Sequence, residues 1–246
     1  MSFGFPPLTR GVKALLIAIA VISVGTGATN AWFSPGWGGL LAENLAFSGN
    51  GVVHGKVWQL ATYTFLTLDP IYLLLALLMV WMFGSPLERR WRTGRFLTFY
   101  FATTAVAALL TTLIGLAAPG ILVTRYAGIW TALEALSAAF AVSFPDDRIN
   151  MFFFFPMQAR YLIHVSVGLT LLMIIMTGSV LPFVCPILGL AAGVLFARGA
   201  LAGPRHLWLR LRVFLIERKM AGRKLRVVPG REEPPRAKSG SDDYLH

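Results

Sequence analysis

Long apolar runs, separated by short segments that collect the charge, set the plan of this chain. Six stretches read as membrane helices, over residues 12–31, 66–83, 96–116, 127–144, 161–180 and 182–197. A helix rises ~1.5 Å per residue, so crossing a ~30 Å hydrocarbon core takes about 20 residues. The shorter stretches therefore predict a locally thinned bilayer or helices that stop short of the far side. Composition agrees with the pattern. Of 246 residues, 56% are hydrophobic and 13% charged, with a mean hydropathy of +0.67, more apolar surface than a soluble domain could bury. The predicted fold class is an all-α membrane protein, a six-helix bundle.

The polar positions orient it. Arg10 and Lys13 precede the first run. Arg89, Arg90, Arg92 and Arg95 lie between the second and third, and Arg148 and Arg160 between the fourth and fifth. Of 22 Lys and Arg, 11 fall between Arg205 and Lys238, beyond the sixth run. The opposite side has only Lys56 and Arg125. The positive-inside bias then predicts both termini in the cytoplasm, which requires an even number of spans. Arg10 and Lys13 superficially resemble the head of a signal peptide, but no convincing small-residue cleavage site follows, so an uncleaved first helix is expected.

The net charge of +11 sits on lipid-soluble sequence, so the expected partner is anionic headgroups, at ~1 kcal/mol per basic residue, and not nucleic acid. The organisation is a membrane domain over 1–200, a basic interfacial segment over 201–228 and a disordered tail over 229–246. Between the first two runs, Trp32, Trp37, Phe47 and Trp58 stand among glycines, the signature of a loop lying in the membrane interface. The single cysteine, Cys185, forms no disulfide within the chain. No metal-ligand spacing and no phosphate-binding glycine loop are present, so no metal or cofactor is expected.

Three motifs carry a resemblance. The run Val57-Trp58-Gln59-Leu60-Ala61-Thr62-Tyr63-Thr64-Phe65-Leu66 is followed by Trp81-Met82-Phe83-Gly84, Leu87-Glu88 and Gly94-Arg95-Phe96, and the last apolar run holds Gly189 and Gly193. In order and spacing, over about residues 6–200, these resemble the rhomboid superfamily of intramembrane serine proteases. The resemblance implies a nucleophile in a Gly-x-Ser-Gly turn at the start of the fourth helix, here Gly128-Ile129-Trp130-Thr131. It implies a histidine base three residues before Gly189, where this chain has Pro186, and an oxyanion-stabilising His and Asn, where it has Tyr72 and Ala76. Indole is no nucleophile, and proline offers neither a base nor a backbone donor. Hydrolysis needs a nucleophile and base in hydrogen-bond reach, and losing one oxyanion donor alone costs on the order of 100–1000-fold. A rhomboid-like pseudoprotease is expected, one that binds transmembrane clients or partners without cleaving them. The alternative is a divergent intramembrane serine protease with a relocated nucleophile.

The remaining polar candidates are Thr131, Ser137, His54, His164 and Glu134. Glu134 stands four residues after Trp130, so the two share a helix face. A charge at the bilayer centre costs about 2.5–3.5 kcal/mol on insertion scales and normally faces the bundle interior. Hydrogen bonds from hydroxyls such as Tyr72 or Thr131 are expected, with client recognition, proton binding or a small transport pathway as its possible uses. Trp130 either plugs a cavity or lines a client groove. His164 reads as interfacial or packed, and Ser137 and the threonines of the third run as packing residues bonded to backbone carbonyls. Pro182 and Pro186 predict a break in the outer part of the sixth helix.

Overall fold

The computed structural model describes residues 6–33, 35–151 and 155–199. Helices occupy all six predicted segments, with shifted ends: α1 (Arg10–Ala28), α5 (Pro70–Trp91), α6 (Thr93–Ala117), α8 (Trp130–Ser143), α9 (Leu162–Thr177) and α10 (Val184–Ala197). Among the described residues, four helices are long and apolar enough to cross a membrane: Arg10–Ala28, Pro70–Trp91, Thr93–Ala117 and Ala159–Thr177. Trp130–Ser143 and Leu181–Ala197 are apolar but shorter. At ~1.5 Å per residue, the 14 residues of α8 reach only about 21 Å. The expected basic segment 201–228 and tail 229–246 lie outside the described residues.

The largest correction concerns α5. Hydropathy begins this span at residue 66 and ends it at 83. The helix instead starts at Pro70, because Asp69 caps it: Asp69 Oδ1 accepts from the N–H groups of Ile71 (2.8 Å) and Tyr72 (3.1 Å), and proline fills the first helical position. At the other end it runs through Pro86 to Trp91. Proline removes one intrahelical donor there but does not stop the helix, since Leu87 and Glu88 beyond it are buried and anchored. Arg92, at φ 70°, makes a one-residue turn into α6. Arg89 and Arg90 are thus in the last helical turn and not in a loop. Arg90 donates to the Ser143 carbonyl at the end of α8 and stacks over Phe144 at 5.1 Å, while Arg95 lies over Trp91 at 5.7 Å. Arg90 and Arg95 therefore have partners within the protein.

Glu88 holds the same end of the bundle together. It is 3% exposed and accepts from the backbone N–H groups of Gly11 (2.8 Å) and Val12 (2.7 Å), from Thr93 Oγ1 (2.6 Å) and from Thr9 Oγ1. These backbone donors belong to the first turn of α1, which has no side-chain cap of its own. A carboxylate on α5 thus caps α1 and ties it to α6.

The core is made by close helix approach. A Cβ built on Gly189 would lie 2.6 Å from the Thr131 carbonyl oxygen, and one on Gly193 would lie 2.4 Å from that of Ala135. Only hydrogen fits at either place, so α8 and α10 pack backbone to backbone, as small residues permit in membranes. In α6 the predicted threonine role holds: Thr103, Thr104, Thr111 and Thr112 each donate to the carbonyl four residues earlier.

Between α1 and α5 the expected aromatic loop folds into α2 (Pro35–Leu45), α3 (Gly49–Val53) and α4 (Gln59–Thr62), and a short α7 (Pro119–Val123) follows α6. Strand β1 (Phe47–Ser48) pairs antiparallel with β2 (Arg125–Tyr126), with Phe47 opposite Tyr126. A second short pair joins β3 (Arg148–Met151) to β4 (Phe155–Gln158). Gln59, 2% exposed, staples the first of these regions. It accepts from Ser48 N (3.4 Å) and donates to the carbonyls of Glu43 (3.2 Å) and Asn44 (3.5 Å). The neighbouring Arg125–Glu43 pair, at 2.8 Å, is exposed on both sides. Solvent screening makes such pairs weak. Arg125→Ala is expected to change stability by less than about 1 kcal/mol, read as a thermal midpoint in detergent; a larger loss would show that the pair, and not Gln59, organises this region.

Candidate functional site

Gly128 determines where α8 begins. Its φ of +110° is a conformation that side-chain-bearing residues rarely adopt, and its N–H donates to the Tyr63 carbonyl at 3.1 Å. The chain turns there, and Trp130 becomes the first residue of α8. The turn implied for residues 128–131 therefore exists, with indole at its third position. Thr131 points elsewhere. It is 2% exposed, packs under Gly189, and its hydroxyl meets Cys185 Sγ at 3.6 Å.

A cavity of about 530 Å³ opens between α5, α8 and α9. Tyr72, Ala76, Trp130 and Glu134 all line it, with Ser137 and Ser166. The rim is exposed at Tyr72, Leu75, Trp130 and Leu169, whereas Ala76 and Glu134 are buried. Three of the four positions that the resemblance assigns to chemistry thus meet in one place. The fourth, Pro186, is buried in the first turn of α10 and is not part of the lining. In that turn the backbone N–H has no intrahelical partner, so proline costs nothing. The predicted break is therefore confined to the turn around Pro182 and does not occur at Pro186. Leu181–Phe183 forms a short 3-10 turn, and α10 runs unbroken from Val184. Tyr126 braces this approach: its hydroxyl donates to the Leu181 carbonyl at 2.6 Å, and burial raises its phenol above the ordinary value, with a smaller contribution from Cys185.

Glu134 is the deep polar group, 5% exposed. Its partner is neither Tyr72 nor Thr131, as expected, but Thr170 of α9, whose hydroxyl donates to Oε1 at a long 3.5 Å. The face Glu134 shares with Trp130 looks toward α9, while Thr131 lies on the α10 side. The Ser137 hydroxyl donates to the Glu134 backbone carbonyl (2.9 Å) and lies 3.2 Å from Ser166 Oγ. Glu134 Oε2 has no hydrogen-bond partner. Buried polar atoms are nearly always satisfied, and this cavity has two exceptions on its lining residues, Glu134 Oε2 and Thr67 Oγ1. Ser166 and Thr170 escaped the sequence reading. Their four-residue spacing put them on one helix face, a signal drowned by the surrounding apolar run.

Neither histidine candidate reaches the cavity. His164 is exposed on α9, its ring 6.2 Å from that of Tyr161. His54, bonded through Nδ1 to the Asn50 carbonyl, lines a separate polar cleft with Glu43, Lys56 and Arg125. Among the described residues no cluster of His, Cys, Asp or Glu could hold a metal ion.

The apolar helices, close-packed through glycine around a buried carboxyl, define a helical integral membrane protein with a cavity inside its bundle. The Rhomboid domain family model matches residues 54–202, more than half of the chain, and the chain belongs to the rhomboid family. Comparison with curated proteins finds no match.

Proposed function

We propose that this rhomboid-family protein is a pseudoprotease: six helices embedded with both termini cytoplasmic, basic residues on anionic headgroups, and a cavity that receives transmembrane helices of client or partner proteins without cutting them. The observation that carries this reading is the cavity lining, where Trp130 occupies the place of the nucleophile and no histidine, lysine or cysteine is present. The route for a client is the side closed by α9. Of its sixteen residues only Leu162 and Thr170 are buried, so α9 is weakly held and can yield laterally.

One arrangement favours a second reading. Ser166 and Ser137 lie beside the Glu134 carboxyl, and a serine near a carboxylate base is the minimum for a divergent hydrolase. Both serines, however, sit inside helices, where backbone N–H groups are already committed to the ladder. No free donors are left there for an oxyanion, the largest single contribution in such chemistry. The test is purified protein in bilayers, exposed to a fluorophosphonate probe and to transmembrane substrates. Neither labelling nor cleavage above the level of Ser166→Ala is expected. Labelling or cleavage that disappears in Ser166→Ala or Ser137→Ala would establish the hydrolase instead.

A further inference from the structure

Glu134 Oε2 is an acceptor without a donor, buried at the bottom of an apolar cavity. The protein supplies no cation to it. None of the residues lining the cavity is basic, and Asp69 at the rim adds a second carboxylate. The ion pairs formed among the described residues, Arg125–Glu43 and Arg160–Asp146, are exposed and involve neither acid. The nearby hydroxyls are neutral and supply no counter-charge: Thr170 reaches only Oε1, Ser137 gives its proton to the Glu134 backbone carbonyl, and Ser166 is the one further donor beside the carboxyl. A carboxylate taken out of water is stabilised when a cation joins it. Trp130, one turn earlier and partly exposed on the same face, offers that cation a ring on its way in.

Size narrows the occupant. A 10 Å-wide helix fills roughly 400 Å³ per 5.4 Å turn. The cavity, at about 530 Å³, takes about one turn and the side chains it projects, while the rest of the visitor stays in lipid. Resting on the client-binding reading above, we infer that the cavity selects transmembrane helices carrying a lysine or arginine within the membrane, whose basic group binds Glu134. Such a residue is costly in lipid, and the site would offer it a buried counter-charge.

The test uses the full-length protein in phosphatidylcholine nanodiscs, with a photoreactive residue at Leu75 or Leu169 on the rim. Model leucine-alanine helices carry lysine or its neutral counterpart norleucine at the central position. The lysine helix is expected to crosslink at least tenfold more efficiently than the norleucine helix. Glu134→Gln is expected to erase that difference, so that the lysine and norleucine helices are captured equally. If Glu134→Gln does not fold, the two helices compared on the unmodified protein still decide. Equal capture of both helices would sink the basic-residue inference and leave client binding standing. A preference that survives Glu134→Gln would assign the cation to another carboxylate and also overturn it. Capture of neither helix would remove the client reading and this inference together. Labelling by an alkylammonium amphiphile with no helix captured would do the same, and would make the ligand a small cationic amphiphile.

Discussion

Replacing Glu88 by alanine is expected to cost the folded protein about 3 kcal/mol, because several donors lose their shared acceptor at once. The loss is not of one bond. Gly11 N–H, Val12 N–H, Thr9 Oγ1 and Thr93 Oγ1 all donate to this carboxylate, and each buried donor left alone costs about 1–3 kcal/mol, not additively. Glu88→Gln keeps one acceptor oxygen but turns an amide N–H₂ toward donors, so an intermediate loss is expected. The measurement is reversible unfolding in mixed detergent, with helix content as the signal. Glu88→Ala at native stability would mean that α1 is held by its apolar face alone and that the cap is incidental.

The second large effect is steric. Gly193→Val is expected to destabilise by about 3 kcal/mol or more, at the upper end of overpacking penalties. Even the first carbon would sit 2.4 Å from the Ala135 oxygen and 2.8 Å from its Cα, and backbone cannot swing aside as a side chain can. The helices must separate, losing the contact between α8 and α10 along its length. Gly193→Ala should already show part of the loss, and Gly189→Ala likewise, against the Thr131 carbonyl. Gly168 on α9 provides the control, with nothing within 4 Å of a built Cβ. Gly168→Ala is expected to be neutral or to gain up to about 1 kcal/mol of helix propensity. At about 2–4 °C per kcal/mol for chains of this size, thermal midpoints separate the two classes. Equal behaviour of Gly193→Ala and Gly168→Ala would refute the packing.

These two sites differ in how visible they were beforehand. Gly189 and Gly193 entered as part of the family pattern, yet their spacing, four apart in an apolar run, is a local property that small residues at helix contacts share. Leu87-Glu88 was noticed only as part of a family pattern. Its role depends on α1 arriving from more than seventy residues away, and no local spacing encodes that meeting. Glu134 was singled out correctly as costly and inward-facing, since hydropathy prices it directly, but the hydroxyls expected to serve it were the wrong ones. Tyr72 lines the same cavity without bonding to it, and Thr131 turns to Cys185. The partner is on α9, a helix whose register against α8 only packing could set.

Legible in the sequence alone were the class of protein, the apolar segments in which helices form and the absence of a serine and a histidine where the resemblance required them. All of these follow from residue identity and from periodicity along one chain. Only the packed structure shows that Trp130, Tyr72 and Ala76 share a cavity from which Pro186 is excluded, that Glu88 caps α1, and that Glu134 keeps an unpartnered oxygen. Each of these depends on which atoms from distant segments come within 3 Å of one another, and that distance is set by the packing of whole helices.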